Sequence, residues 1–304
     1  MEAATMYPYE HILAVTETPN LLNSSFHKAV ILASRSRAKL TLLTVKLTQT
    51  SLLKRLLERS CVIEPKSKRT LTTKGLEQVL KYPSKQISCQ SSTIYRAVLN
   101  QLKQEHYDLV VLPHKRYHSI ISELISADEW HLLRETLVPV MFVNSSQWQT
   151  QGHVLTALDI NHTQDCHQAF NHHIIHESKG IADSINNDLH FINCFLADNY
   201  SIAFETEDRA HAHSMLSQQA NQQSILNHAV ADLLSEKYHC HIAHGLPEDA
   251  IPIKAHQLDV NMVIMGAAEH TGLIHSIKGH IPELLINQLP CDILAVKPPT
   301  SELR

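Results

Sequence analysis

Asn261-Met262-Val263-Ile264-Met265-Gly266 echoes Tyr107-Asp108-Leu109-Val110-Val111-Leu112. In both, polar side chains lead into a short unbroken aliphatic run bounded by turn-forming residues, which reads as a strand covered on both faces. Two more pairs keep the same order along the chain. His11-Ile12-Leu13-Ala14-Val15 is matched by His153-Val154-Leu155-Thr156-Ala157, and the run Leu137-Val138-Pro139-Val140-Met141-Phe142-Val143 by Leu289-Pro290-Cys291-Asp292-Ile293-Leu294-Ala295-Val296. One unit is therefore written twice, with different loop lengths between its strands. The boundary falls near Ser145 to Gly152, giving domains over residues 1–147 and 152–304. The length of 304 residues agrees, because single open-sheet domains run to about 150.

Within each half the short apolar runs alternate with segments of helical period, the pattern of βα units around a parallel sheet. Strands are expected at 11–15, 40–45, 86–89, 109–112 and 140–143, and again at 153–158, 189–195, 239–243, 262–265 and 293–296. Second-half helices are expected at 166–186, 207–238, 248–258 and 282–288, and a first-half helix at 72–80. The fold class is α/β, two tandem doubly wound five-stranded parallel-sheet domains. In such sheets ligands sit beyond the carboxyl ends of the strands, so the loops after Ala157, Phe195, His244 and Met265 are the candidate site loops.

Composition narrows the function classes. A hydrophobic share of 43% with 18% charged residues supports sizeable cores and excludes a disordered chain. The net charge of −4 hides a split: residues 1–148 carry 19 Lys and Arg against 12 Asp and Glu, and the rest carry 7 against 18, with 17 of the 23 histidines. The basic residues are scattered and lack interleaved aromatics, so they do not compose a nucleic-acid face. No apolar run reaches the roughly 18 residues that span a bilayer, and no membrane association is expected. Cys61, Cys89, Cys166, Cys194, Cys240 and Cys291 form no C-x-x-C pair, and the N-terminus lacks the basic-then-apolar pattern of an export signal. A cytoplasmic location is expected.

The stretch that follows the 261–266 strand carries more. Gly266-Ala267-Ala268-Glu269-His270-Thr271-Gly272-Leu273 leads to Ile277-Lys278-Gly279-His280, then to Pro290 before the last strand. This resembles the universal stress protein family, in which a strand ends in Gly-x-x-Gly, nine residues follow, and Gly-Ser or Gly-Thr opens the last helix. The resemblance implies that backbone amides there cradle the phosphates of ATP or AMP. Gly245-Leu246-Pro247-Glu248-Asp249-Ala250-Ile251 is similar to the family turn that starts the third helix. Asp128-Glu129-Trp130-His131-Leu132-Leu133-Arg134 resembles a segment of the degenerate first domain in tandem members. The resemblance also implies an internal pseudo-dimer, with 139–143 and 291–296 near the interdomain contact, and it leaves a homodimer of two chains open.

Cofactor-binding candidates are Asp159, Gly266, Glu269, Gly272, Gly279 and His280. Two of them depart from the family pattern. Glu269 stands for the second Gly and His280 for the small hydroxyl residue, so a carboxylate would repel the triphosphate and its Cβ would narrow the cradle. The first half has one glycine, Gly75, before Gly152, and Thr16 stands where the second half has Asp159. No Gly-rich cradle can be built from that, and the first domain is read as structural. No catalytic residue is identified. There is no G-x-S-x-G elbow, no P-loop and no His-Glu-x-x-His, and Cys194 near the crevice reads as packing.

The expected function is ligand-linked stress adaptation, including survival of starvation or DNA-damaging conditions, as the resemblance implies, and without turnover. Two other readings stay open. The crevice could serve as carrier or enzyme for a different small molecule, apolar ones included. Zinc could bind through the His-rich second half, where His239 and His241 flank Cys240 and share a strand face. His172, His173 and His176 fall on the solvent side of their helix, away from the apolar stripe of Phe170, Ile174, Ile181 and Ile185.

Overall fold

The computed structural model describes residues 9–17, 24–48, 81–114, 127–144, 147–161, 164–196, 208–267, 285–286 and 288–299. The chain forms two compact units, one of residues 1–149 with 290–297 and the other of 150–289 with 298–304.

The first unit contains β1 (His11–Thr16), α1 (Ser24–Ser36), β2 (Lys39–Leu47), β3 (Ser84–Ser91), α2 (Ile94–Gln104), β4 (Leu109–Pro113), α3 (Ala127–Glu135), β5 (Val140–Val143) and β10 (Asp292–Val296). Its sheet runs β3-β2-β1-β4-β5-β10. The first five strands pair in parallel, and β10 pairs antiparallel with β5 in the register Ile293↔Phe142 and Ala295↔Val140. Ile12, Leu13, Ala14 and Val15 are wholly buried, as a central parallel strand requires. Asp108 sets its start, accepting from the backbone amides of Glu10 and His11 at 2.9 and 2.8 Å.

The second unit contains β6 (His153–Ala157), α4 (Asp165–Ile185), β7 (Asp188–Phe195), α5 (Asp208–Ala231), β8 (His239–His244), α6 (Pro247–Leu258) and β9 (Met262–Gly266). Its four strands run β9-β6-β7-β8, all parallel. Each expected strand is present within two residues of its expected ends. The expected helix at 207–238 ends at Ala231 instead. Val230 is its last buried apolar anchor, the Leu233 and Leu234 amides close onto the Val230 carbonyl, and Asp232 and Glu236 beyond are exposed. The expected helix at 72–80 lies outside the described residues.

Among the described residues three helices end on a left-handed residue other than glycine. Arg37, Asn186 and Asp259 take the left-handed conformation at φ 56°, 53° and 48°, directly after α1, α4 and α6. The next amide then reaches back to the last turn, Asn187 N–H to Ala182 O at 2.9 Å and Val260 N–H to Ala255 O at 3.2 Å. Asn and Asp tolerate this backbone better than other non-glycine residues. Strand β7 or β9 starts within three residues of the cap. The starts of β6, β7 and β9 are tied together by Asn261, whose Nδ2 donates to Asn187 Oδ1 at 2.9 Å and whose backbone amide donates to His153 O at 2.8 Å. At Gly152 a Cβ would lie 2.4 Å from that same Nδ2, so a glycine is required for the tie.

The added strand of the first unit is held by charge. Lys28 of α1 donates to both carboxylate oxygens of Asp292, at 2.8 and 2.7 Å, and the two residues are 2% and 0% exposed. The Asn144 amide and the Trp148 indole N–H each donate to the same carboxylate at 2.8 Å. The ammonium also lies 5.3 Å from the centre of the Trp148 ring. Burial pushes the Asp292 carboxyl up, against the opposing pull of Lys28, Asn144 and Trp148. At the far end of β10, buried Lys297 donates to the Leu133 carbonyl. Among the described residues no helix is long and apolar enough to cross a membrane.

Candidate functional site

In the second unit β6 is flanked by β9 on one side and β7 on the other. The chain leaves β6 toward β7 and β8, then returns past β6 to form β9. The strand order therefore reverses between β6 and β9, which is where an open α/β sheet leaves a crevice at its carboxyl edge. Thr156 pairs with Ile264, so both strands end at one level, with Gly266 the last residue of β9 and Asp159 just beyond β6.

Asp159 opens a short polar turn. Its Oδ1 accepts from the Asn161 amide at 3.1 Å and from Asn161 Nδ2 at 3.3 Å, and its carbonyl accepts from Asn171 Nδ2 on α4 at 2.7 Å. The carboxylate thus stabilises its own Asx-type turn while standing partly exposed at the crevice. Beneath it, Asn193 is 1% exposed and donates to Gln222 of α5 at 3.2 Å, bracing the turn from β7.

Gly266 has a packing reason of its own. A Cβ there would lie 2.7 Å from Phe170 Cε1 and 3.0 Å from Ile174 Cδ1, so α4 crosses β9 at a distance only glycine allows. Gly266→Ala should destabilise the fold by about 1–3 kcal/mol through overpacking, and urea unfolding of ligand-free protein measures it. An unchanged midpoint would leave the glycine to ligand approach alone. Of the other candidates, Glu269, Gly272, Gly279 and His280 lie outside the described residues.

The edge of the crevice near α6 is acidic. Gly245 turns the chain after β8 at φ 125°, and the first turn of α6 carries Pro247, Glu248 and Asp249. Those carboxylates already complement the helix dipole, so this N-terminus is a poor seat for an anion. Cys194 near the end of β7 has its thiol pushed up to about 12, mainly by burial and then by Glu248. It is protonated at neutral pH and serves as packing. Burial likewise pushes the Cys240 thiol up to about 11.

In the first unit the corresponding strand ends are closed. Thr16 is 1% exposed, and β4 runs into Pro113 and His114, whose amide donates to the Val143 carbonyl at 2.8 Å.

His239 and His241 do share a face of β8, His239 stacked against the ring of His190 on β7 and His241 meeting that ring nitrogen to nitrogen at 3.0 Å. They meet histidines that the sequence reading did not bring to them, since His190 also contacts His153 on β6. The signal was present in the sequence as three His-bearing strand starts, but only the strand register aligns them. Among the described residues no group of three or more His, Cys, Asp or Glu side chains could hold a metal ion. The ring nitrogens of His153, His190 and His241 face one another in pairs, and a metal needs them aimed at one point. His172 and His176 are exposed on α4.

Comparison with known proteins agrees with this architecture. Residues 152–297 match the universal stress protein family. The chain is 26% identical over 209 residues to universal stress protein E of Photorhabdus laumondii subsp. laumondii, covering 67% of this chain and 66% of that protein. It is 25% identical over 214 residues to universal stress protein E of Escherichia coli strain K12, covering 67% and 65%. The matches thus span just under two thirds of the length of these relatives. Among solved structures, a functionally unknown protein from Pseudomonas aeruginosa PAO1 superposes with a TM-score of 0.70 at 20% identity, over 97% of this chain and 95% of that one. A universal stress protein from Archaeoglobus fulgidus DSM 4304 gives 0.59 at 13% identity, over 97% and 99%. At these identities the likeness is one of fold.

Proposed function

We propose that this chain, a tandem-type relative of universal stress protein E whose second half belongs to the universal stress protein family, binds an adenine nucleotide such as ATP or AMP in its second unit. Occupancy of that site serves stress adaptation without turnover. The reading takes residues 1–147 and 152–304 as two copies of one domain, of which the first has lost its site. Survival of starvation or DNA-damaging conditions is the setting the family likeness suggests.

The observation that carries the reading is the reversal of strand order between β6 and β9, with partly exposed Asp159 and Gly266 at the resulting edge. The first unit has the same switch point between β1 and β4, but there buried Thr16 and Pro113-His114 stand at the edge. Asp159 would accept from a ribose hydroxyl or a base amine, and the glycine-containing segment after Gly266 would supply backbone amides to phosphate. Binding without reaction fits the nearby Cys194 thiol, which is held protonated.

Calorimetric titration of the full chain with ATP and with AMP, with and without Mg²⁺, tests this. AMP should bind, and Asp159→Ala should weaken it by about tenfold. Glu269→Gly combined with His280→Ser should tighten ATP more than AMP, by about tenfold, because the removed carboxylate repels each added phosphate. Absence of heat and of thermal shift at about millimolar nucleotide in both proteins would overturn the nucleotide reading.

A further inference from the structure

Four histidines converge on one face of the second unit, at the amino ends of β6, β7 and β8 and so at the opposite end of the strands from the proposed nucleotide site. His190, 5% exposed, is central. Its Nε2 lies 3.0 Å from His153 Nδ1 and its Nδ1 lies 3.0 Å from His241 Nε2, so three imidazoles form one hydrogen-bonded chain across three strands. His239 stacks on the His190 ring with centroids 4.7 Å apart and planes 18° from parallel, whereas His241 meets His190 edge to edge, with centroids 5.3 Å apart and planes 12° from parallel.

The chain has a limited capacity for protons. A neutral imidazole has one N–H and one acceptor nitrogen. With all three rings neutral, each link holds one proton, and the chain can be satisfied in either polarity. One added proton also fits. It can sit on an end ring, or on His190, which then donates both ways. A second added proton does not fit, because with both end rings cationic and donating inward, neutral His190 would have to accept at both nitrogens. One link must break. The groups facing the chain set the balance. Asp188, on β7, favours protonation of His190, whereas His239, His241 and His153 oppose it. Lys254, on the covering helix α6, opposes protonation of His241, as does His239.

We propose that the His153–His190–His241 chain is a one-proton latch that keeps β8 seated on β7 near neutral pH and releases it in acid. Strand β8 is the component free to respond. Among the described residues its only strand partner is β7, and the His190–His241 link is a side-chain tie between the two. Strands β6 and β7 each have strands on both sides. Burial holds His190 down to about 4, so the centre of the chain stays uncharged near neutral pH. At the half-buried His241 end, Lys254 and His239 oppose the charged ring.

Hydrogen exchange of the full chain, followed by mass spectrometry from about pH 7 to about pH 4.5 and corrected for the intrinsic pH dependence, tests the latch. Opening of the β8 segment should rise by at least about tenfold relative to β6 and β9 across that range. His190→Phe keeps a ring in the stack but no nitrogen, and should make β8 opening much less sensitive to pH than in wild type. His176→Gln, at an exposed position on α4, should leave the wild-type profile intact. Equal pH dependence in wild type and His190→Phe, or none in wild type, would overturn the proposal. Should His190→Phe not fold, nitrogen-detected NMR of wild-type imidazoles decides: His190 remaining neutral below about pH 5 supports the latch, and His190 titrating near its ordinary value of 6.5 overturns it.

Discussion

Replacing Lys28 with Met should destabilise the protein by about 3–5 kcal/mol, the largest effect expected of any single substitution considered for this chain. The substitution is close in volume and removes the ammonium with its hydrogen bonds, leaving the Asp292 carboxylate 0% exposed beside the Asn144 amide and the Trp148 indole. Two of its four donor contacts disappear, and no water reaches it to compensate. Asp292→Asn strands the ammonium in the same way and should cost a similar amount. The double variant should cost clearly less than the sum, because each single loss is mostly the penalty of an unpaired buried charge. Urea unfolding of the four proteins provides the cycle, and strict additivity would show that the pair is not coupled. The consequence is local as well as global. Asp292 is the first residue of β10, so losing the pair loosens the antiparallel β5–β10 pairing before the parallel strands of the first unit.

Acidification should remove roughly 2–3 kcal/mol of stability through His190 alone. Burial, with the neighbouring imidazoles, lowers its folded-state value from 6.5 to about 4. Between those limits the unfolded chain binds more protons than the folded one, so stability rises with pH across the window. The contribution is complete above about 6.5 and lost as pH falls toward about 4. Chemical denaturation midpoints measured at several pH values should therefore slope upward through this range, and His190→Phe should flatten the slope. A wild-type profile level between those limits would show that His190 is not held neutral by the fold. His241, also lowered by burial and by Lys254 and His239, adds to the slope in the same direction. This loss is expected even if β8 and the rest of the second unit open together, whereas the latch requires β8 to open first.

The sheet-forming runs were legible because burial on both faces leaves a continuous apolar string, as in Leu109-Val110-Val111-Leu112 and Met262-Val263-Ile264-Met265. The duplication was legible for the same reason, since it repeats strings of that kind in one order. Asp159 was legible as a residue at a strand end, and the structure adds that it braces its own turn through Asn161. Gly266 was read through the glycine pattern of a phosphate loop. Its contact with Phe170 and Ile174 could not be read, because those residues lie on a helix nearly a hundred positions earlier. The end of α5 was misjudged because polar residues with good helical propensity continue past Val230, while burial stops there.

Local periodicity along the chain thus determined the strands, and short motifs carried the family resemblance, each set by residues a few positions apart. Tertiary structure decided what long-range pairing alone can decide. Lys28 and Asp292 are 264 positions apart, and nothing near either marks it as half of a buried ion pair. His190 meets His153 across 37 positions and His241 across 51. A register shift of one residue would turn their rings to opposite faces of the sheet and abolish the cluster, because successive side chains on a strand alternate. Composition exposed the excess of histidine in the second half. The register of β6, β7 and β8 turned four of those histidines into one coupled group.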